Sequence, residues 1–388
     1  MACGSGKLAV AIVCVAGAAL PGAVRAGEWS VTPAFSWLAD HASNRGLVED
    51  APQSQSYGAN VDLALARRDE DSELLLQPHY RVQRFIHDLY PDVDDAQLAA
   101  RGHWLFETSS FDLRAQAAQE STLTTELAET GLVRADSDRR TLAGGIGWKF
   151  AHAETRQFGA SLDYQDVDYT GAREELLTGY RYGRATLGES FTLSPRAMLT
   201  ASVFGSQLRN PERDSTSDER GASLGVQYAW TERTTMSATL GLSRQDTDGE
   251  RSRGTTRDFS LQHKGERLDW TLSYSHSLQP YGTGVLAERD TAQLEFVQAL
   301  GPRASAVLRG SYARNEDGGF GLLFDSREYR YAEAALRWQV RETWSASLST
   351  GWSSARQDAT FFRREESASG WSVSLYTTWA PRALVIGH

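Results

Sequence analysis

Hydrophobic and polar residues alternate along this chain. From Trp344, bulky or apolar residues take every second position (Trp344, Ala346, Leu348, Thr350, Trp352), and Ser345, Ser347, Ser349, Gly351 and Ser353 fall between them. The pattern returns as Trp371, Val373, Leu375, Thr377 and Trp379 against Ser372, Ser374, Tyr376 and Thr378. It recurs in Trp270, Leu272, Tyr274 and in Ala222, Leu224, Val226, Tyr228, Trp230. A period of two sends successive side chains to opposite faces of a strand. One face therefore meets an apolar medium and the other meets water.

The punctuation is also regular. Short polar breaks fall near Ser72, Phe111, Thr155, Pro195, Glu232, Arg267, Arg303 and Glu342. Longer polar stretches lie between them, at 42–55, 210–221, 279–290, 315–327 and 357–369. The repeat of roughly 38 residues fits two strands, a tight turn and a longer loop; a propeller blade has a similar period but carries four short strands. Nine such hairpins predict an all-β fold of about 18 strands, with 16 as the alternative count. Long alternating strands with unequal connections describe a single transmembrane antiparallel β-barrel, with short periplasmic turns and longer extracellular loops. Closure is obligatory in lipid, since an open edge leaves backbone groups unsatisfied. A soluble β-sandwich would use strands nearer 5–6 residues, and would not need a second face so rich in Ser, Thr, Gly and charge. Trp29, Trp37, Trp104, Phe106, Trp148, Phe150, Trp230, Trp338, Trp344, Trp352, Trp371 and Trp379 are the expected interface girdle.

The N-terminus reads as an address. Lys7 is a positive n-region, 8–20 is an apolar h-region, Pro21-Gly22 breaks it, and Ala23-Val24-Arg25-Ala26 offers small residues for cleavage. The expected domains are a cleaved secretory signal at 1–26 and a barrel at 27–388. Cys3 and Cys14 are the only cysteines and leave with the signal, so thiol catalysis and cysteine-bound zinc are not expected. Aromatics at 10%, with 11 Trp, 14 Tyr and 14 Phe, argue against disorder. A net charge of −10 argues against a nucleic-acid partner. The expected location is the outer membrane of a Gram-negative bacterium, among outer-membrane lipid and lipopolysaccharide.

With the apolar register facing lipid, the opposite register lines a lumen. The residues expected there are Arg81, Arg101, Glu107, Arg114, Lys149, Asp163, Tyr182, Arg184, Glu295, Arg309, Tyr331, Glu333 and Arg337, with Asp62, His79, His103, Glu120, Asp258, Lys264, Tyr180, Tyr329 and Tyr376 beside them. Lys or Arg on the lipid side at mid-bilayer costs about 2–4 kcal/mol, which is why the charges are assigned inward. Both signs interleave, so the face suits either a hydrated channel or a network of ion pairs that narrows one. No single-sign ring for a selective ion pore stands out. The tyrosines beside Arg and carboxylates suit sugars or structural hydrogen bonds equally.

Nothing marks an enzyme. The eight histidines form no His-Glu-x-x-His motif, and no Gly-x-Ser-x-Gly elbow occurs. Asp92-Val93-Asp94-Asp95 lacks the spacing of a calcium loop and reads as a solvated acidic turn. No cofactor or metal is expected. Arg363-Arg364-Glu365-Glu366 reads as a mixed-charge loop, and 318–324 puts apolar residues in an external loop that either enters the lumen or extends a strand.

The signal, the immediate strand start, the nine hairpins and the Ser/Thr/Trp alternation resemble the outer-membrane β-barrel porins associated with exopolysaccharide export systems. The resemblance covers Gly27 to Pro381. It implies a passive channel that exports an extracellular polysaccharide, fed by a periplasmic polysaccharide-export protein. Two alternatives stand beside it: a diffusion porin for small solutes, general or selective, and a plugged structural or adhesive barrel acting through its loops. The tail departs from the common barrel pattern of a terminal aromatic. After Trp379 comes Ala380-Pro381-Arg382-Ala383-Leu384-Val385-Ile386, in which either the recognition element is internal or a further strand segment completes the wall. Pro381 argues against continuous pairing.

Overall fold

The computed structural model describes residues 27–48, 52–86, 90–127, 129–130, 137–171, 177–316, 326–359 and 364–386. The segment read as a signal peptide and the apolar loop at 318–324 lie outside these residues. The strands are β1 (Glu28–Ala42), β2 (Ser54–Arg68), β3 (Ser72–Ile86), β4 (Val93–Leu105), β5 (Ser109–Ser121), β6 (Asp138–Ala153), β7 (Arg156–Thr170), β8 (Tyr180–Ser194), β9 (Ala197–Asn210) and β10 (Ser215–Thr231). They continue as β11 (Thr234–Thr247), β12 (Glu250–Lys264), β13 (Leu268–Tyr281), β14 (Val285–Ala299), β15 (Ala304–Glu316), β16 (Ser326–Arg341), β17 (Trp344–Ala359), β18 (Arg364–Trp379) and β19 (Leu384–Ile386). One short helix, α1 (Thr122–Thr125), follows β5.

Every strand from β1 to β18 pairs antiparallel with its neighbour in sequence, and β1 also pairs with β18. The sheet is a closed 18-stranded barrel, because β18 and β19 are two pieces of one wall strand. The ladder on this seam runs from Ala42↔Ser372 to Phe35↔Trp379, lapses, and resumes with Val31↔Leu384 to Trp29↔Ile386. Pro381 sits in the lapse and Pro33 faces it. The tail thus completes the wall, and proline does interrupt the pairing. Ring contacts bridge the seam on its outer face, Phe35 with Trp379 at 5.5 Å and His41 with Trp371 at 5.1 Å.

The alternation decides which face is which. Leu224, Leu240, Leu242, Leu272, Leu348, Trp352, Trp371 and Leu375 are exposed large hydrophobics on one register, with Leu242 at 72% and Leu240 at 67%. In water such a belt would be prohibitive, and in lipid it is what burial requires. The even-stranded, closed, antiparallel sheet with this belt has the build of an outer-membrane barrel. On the other register, hydroxyls meet across strands: Ser36 with Thr378 at 2.9 Å, Ser202 with Ser223 at 2.7 Å, Ser275 with Thr291 at 2.6 Å. Eighteen strands closed in a circle would measure about 35 Å across the backbone, wide enough for an aqueous lumen, and side-chain bridges between β6 and β15 draw the outer end narrower than that.

Two boundaries differ from the sequence expectation. The break near Phe111 is a turn at 106–108, and Phe111 lies inside β5 with its ring 5.7 Å from that of Trp104. Phe106 reads as strand because it is apolar, whereas Ser109 and Ser110 are polar and paired. The polar stretches at 210–221 and 279–290 are largely strand, with connections of only 211–214 and 282–284. There the ladders continue beyond the apolar belt, where the outer face is polar and the inner face buries polar Asn210, Ser217 and Glu219, so the alternation vanishes.

Candidate functional site

The site is the outer third of the lumen. The nine connections after the odd-numbered strands gather at this end, and the eight short turns gather at the other, with the N-terminus. The longer connections mark the extracellular side. Two of them bend inward.

The connection after β5 starts with α1. Ser121 caps it, its hydroxyl accepting from Leu123 N at 3.2 Å. The chain then crosses the barrel. Asn315 Nδ2 of β15 donates to Glu129 O at 2.7 Å, and Arg327 Nη2 of β16 donates to Leu127 O at 3.0 Å. β6 and β15 are nine strands apart in a ring of 18, so these anchors lie on the opposite wall. On the near wall Arg139 Nη1 of β6 reaches Glu126 Oε1 at 3.3 Å and Glu129 Oε2 at 2.9 Å.

The connection after β13 comes in from another side. Leu286 packs against Val167, Tyr180 and Leu208 of β7, β8 and β9, and Thr178 N donates to Gly282 O at 2.9 Å. The two inward segments meet at Gly282. A methyl group there would sit 2.8 Å from both Thr130 Cγ2 and the Tyr169 hydroxyl, so only glycine fits. Gly284 has φ +77°, and a Cβ on it would collide with Asn210 Nδ2.

Glu126 is the polar centre of this junction and is fully buried. Its carboxylate accepts from Thr130 Oγ1 at 2.7 Å and from the Tyr169 hydroxyl at 2.8 Å, beside Arg139. Burial pushes its carboxyl above the usual range, and the Arg139 guanidinium opposes that only in part. The sign follows from linkage. The docked segment binds this proton more tightly than the undocked one, so docking is strongest at low pH and weakens as pH rises through the raised value. Single-channel conductance is therefore expected to fall on acidification. Glu126→Gln, which stays neutral, should hold the low-conductance level at pH 7 and flatten the pH profile. An unchanged profile in the variant would show that another group titrates.

A smaller inward contact comes from the connection after β1. Arg45 pairs with Asp40, lies 5.2 Å from the Phe85 ring centroid, and is pulled down to about 10 by burial.

Below the junction, the expected lumen residues fall into separate groups. On β2–β8, Asp62 Oδ1 and His79 Nδ1 are 2.6 Å apart, and His103 and Asp112 are 2.7 Å apart. Arg114 pairs with Asp163. Arg101 stands directly across the ladder from Arg114, and Arg81 donates to Gln83. Arg184 lies 4.1 Å from the Phe204 ring centroid, and Tyr182 packs against the Leu208 cluster. On β14–β16, Arg309 pairs with Glu295 at 3.0 Å and approaches Glu333 at 3.8 Å, while the Tyr331 hydroxyl donates to Glu333. Lys149 and Arg337 stand in the same inward register near the periplasmic turns, across from Ser110 and from Ser305 and Ser347. Glu107 is the correction. It lies in the exposed turn between β4 and β5, where strand alternation no longer fixes a side chain's direction.

Sequence reasoning missed Glu126, Glu129, Arg139 and Arg327. A local signal was present: a Ser cap at 121 followed by Leu123 and Leu127 at helical spacing. Among the described residues, no cluster of three or more His, Cys, Asp or Glu is arranged to hold a metal.

The chain matches no protein-family model and no curated protein. Its likeness is to outer-membrane β-barrel porins of known structure. OccK7 (OpdD) of Pseudomonas aeruginosa is similar over 93% of this chain and 99% of its own, with a TM-score of 0.49 and 12% identity. OccAB2 of Acinetobacter baumannii is similar over 91% and 98%, with a TM-score of 0.48 and 12% identity. OccK2 (OpdF) of Pseudomonas aeruginosa, solved in complex with glucuronate, is similar over 92% and 98%, with a TM-score of 0.47 and 10% identity. At these identities the likeness is one of fold.

Proposed function

We propose that the chain is a passive diffusion channel for small hydrophilic solutes. The observation that carries this reading is the β5–β6 connection, which crosses the lumen and is hydrogen-bonded to the opposite wall. A polymer exporter needs a bore clear through both mouths, and two inward segments occupy this one. The export reading loses its footing here, and the small-solute alternative takes its place with no periplasmic export partner invoked. Charges of both signs stand on the β2–β8 and β14–β16 walls, with hydroxyl-rich strands between them. Such a surface keeps a polar solute hydrated from several sides without a deep binding well, which favours passage over capture.

Liposome swelling with solutes of graded size, paired with planar-bilayer conductance, tests the reading. Monosaccharides and small organic ions should enter at rates that fall steeply with size. Long oligosaccharides entering as fast as monosaccharides would restore polymer export. Absence of any conductance would mean a plugged barrel.

A further inference from the structure

The outer wall carries a feature the lumen does not explain. Arg220 of β10 lies directly across the ladder from Arg244 of β11, and Arg244 directly across from Arg253 of β12. The alternation turns all three outward and leaves them exposed, while their neighbours Glu219, Ser243 and Gln245 are buried on the inner face. Adjacent strands lie about 4.8 Å apart, so three guanidinium stems share one short row. Like charges directly opposite one another destabilise a sheet. No described carboxylate forms an ion pair with any of the three. The acids in the next row toward the cell exterior are bonded to other partners, Asp246 to Arg251 Nε at 2.9 Å and Asp218 to Gln207 Nε2 at 2.9 Å, and Arg244 reaches Asp246 only through its charge.

The row sits at a boundary. One step toward the membrane on the same face come Ala222 and Leu242, then Leu224 and Leu240. These leucines line an apolar groove with Phe158, Leu187 and Val203, and Arg257 lines it too, directly across the ladder from Leu240. A basic row above an apolar groove, at the extracellular end of the strands, matches an amphiphile with an anionic head and acyl chains. Guanidinium forks bind phosphate oxygens in pairs, and the row would hold a phosphate between stems that otherwise repel.

We propose that the outer wall of β10–β12 binds a phosphorylated glycolipid of the outer leaflet, with Arg220, Arg244 and Arg253 on its phosphate and its acyl chains in the Leu224–Leu240–Leu242 groove. The site is independent of the pore.

The test uses the full barrel in detergent and native mass spectrometry with a bis-phosphorylated lipid A. The wild type should retain the lipid. The triple variant Arg220→Gln, Arg244→Gln, Arg253→Gln should lose at least about tenfold in affinity, the scale of one charge-assisted contact. A control with the same charge change in periplasmic turns (Arg196→Gln, Arg267→Gln, Arg303→Gln) should bind as the wild type does. Fully dephosphorylated lipid A should bind the wild type as weakly as bis-phosphorylated lipid A binds the triple variant, a comparison that needs no variant to fold. Equal binding of the dephosphorylated lipid would overturn the proposal. So would equal loss in the control, or a dimer that the triple variant dissolves, which would assign the row to a second copy of the chain.

Discussion

Arg139→Ala should convert the barrel to a higher-conductance channel without unfolding it. The substitution strips Glu126 of its guanidinium inside a fully buried junction and removes the near-wall anchor of Glu129. Breaking a buried pair by removing one partner costs about 3–5 kcal/mol. The barrel ladder does not pass through α1 or the residues after it, so the cost falls on docking of the crossing segment. At about 1.4 kcal/mol per tenfold, a penalty of that size shifts the docked-to-undocked ratio by at least about a hundredfold. Planar-bilayer recordings should show a several-fold larger unitary conductance, or rapid flicker between two levels. Arg327→Ala removes the far-wall hydrogen bond to Leu127 O and a wall bond to Gln357 Oε1 but breaks no ion pair of the crossing segment, so its effect should be smaller. Wild-type conductance in both variants would mean the crossing segment does not limit the pore.

The second large effect concerns the wall. Leu272 and Ser273 are neighbours on β13, and the first faces lipid while the second faces the lumen, across from Ser260 and Gln293. Leu272→Arg places a guanidinium in the apolar belt at a cost of about 2–4 kcal/mol, which is comparable to a large part of a small protein's net stability. Ser273→Arg adds the same group to a wet wall and should be tolerated. In a heat-modifiability gel, Leu272→Arg should shift toward the unfolded band, and Ser273→Arg should migrate as the wild type does. Equal behaviour would reverse the assignment of inside and outside.

How much of this was legible follows from what each feature depends on. Trp344–Trp352 and Trp371–Trp379 declare their faces because lipid accepts only one register of a two-residue period. The same logic places Arg114, Asp163, Arg309 and Glu333 inward. Glu107 was misplaced because the rule holds only while the chain is extended and paired, and β4 ends at Leu105. The strands above the belt were read as loops because polar faces on both sides erase the signal although the ladder continues. The crossing connection was invisible for a different reason. Arg327 and Leu127 are 200 residues apart, and Asn315 and Glu129 are 186 apart. No local pattern records a hydrogen bond spanning a lumen.

The interrupted seam gives the barrel a zipper with a weak stretch at its periplasmic end. At the extracellular end the β12–β13 ladder stops at Arg257↔His276, and at the periplasmic end Thr32, Pro33 and Ala34 have ladder partners on β2 alone. Beyond that gap only three pairs hold the periplasmic end shut. Under mechanical load or rising denaturant, the periplasmic end of the wall should part there first and tear toward Phe35 and Trp379. The tear should pause where the stacked rings hold. Backbone amides of β1 and β19 should accordingly exchange with solvent deuterium sooner than those of β16 or β17, so the join between β1 and the last strand is also where the periplasmic rim first gives way.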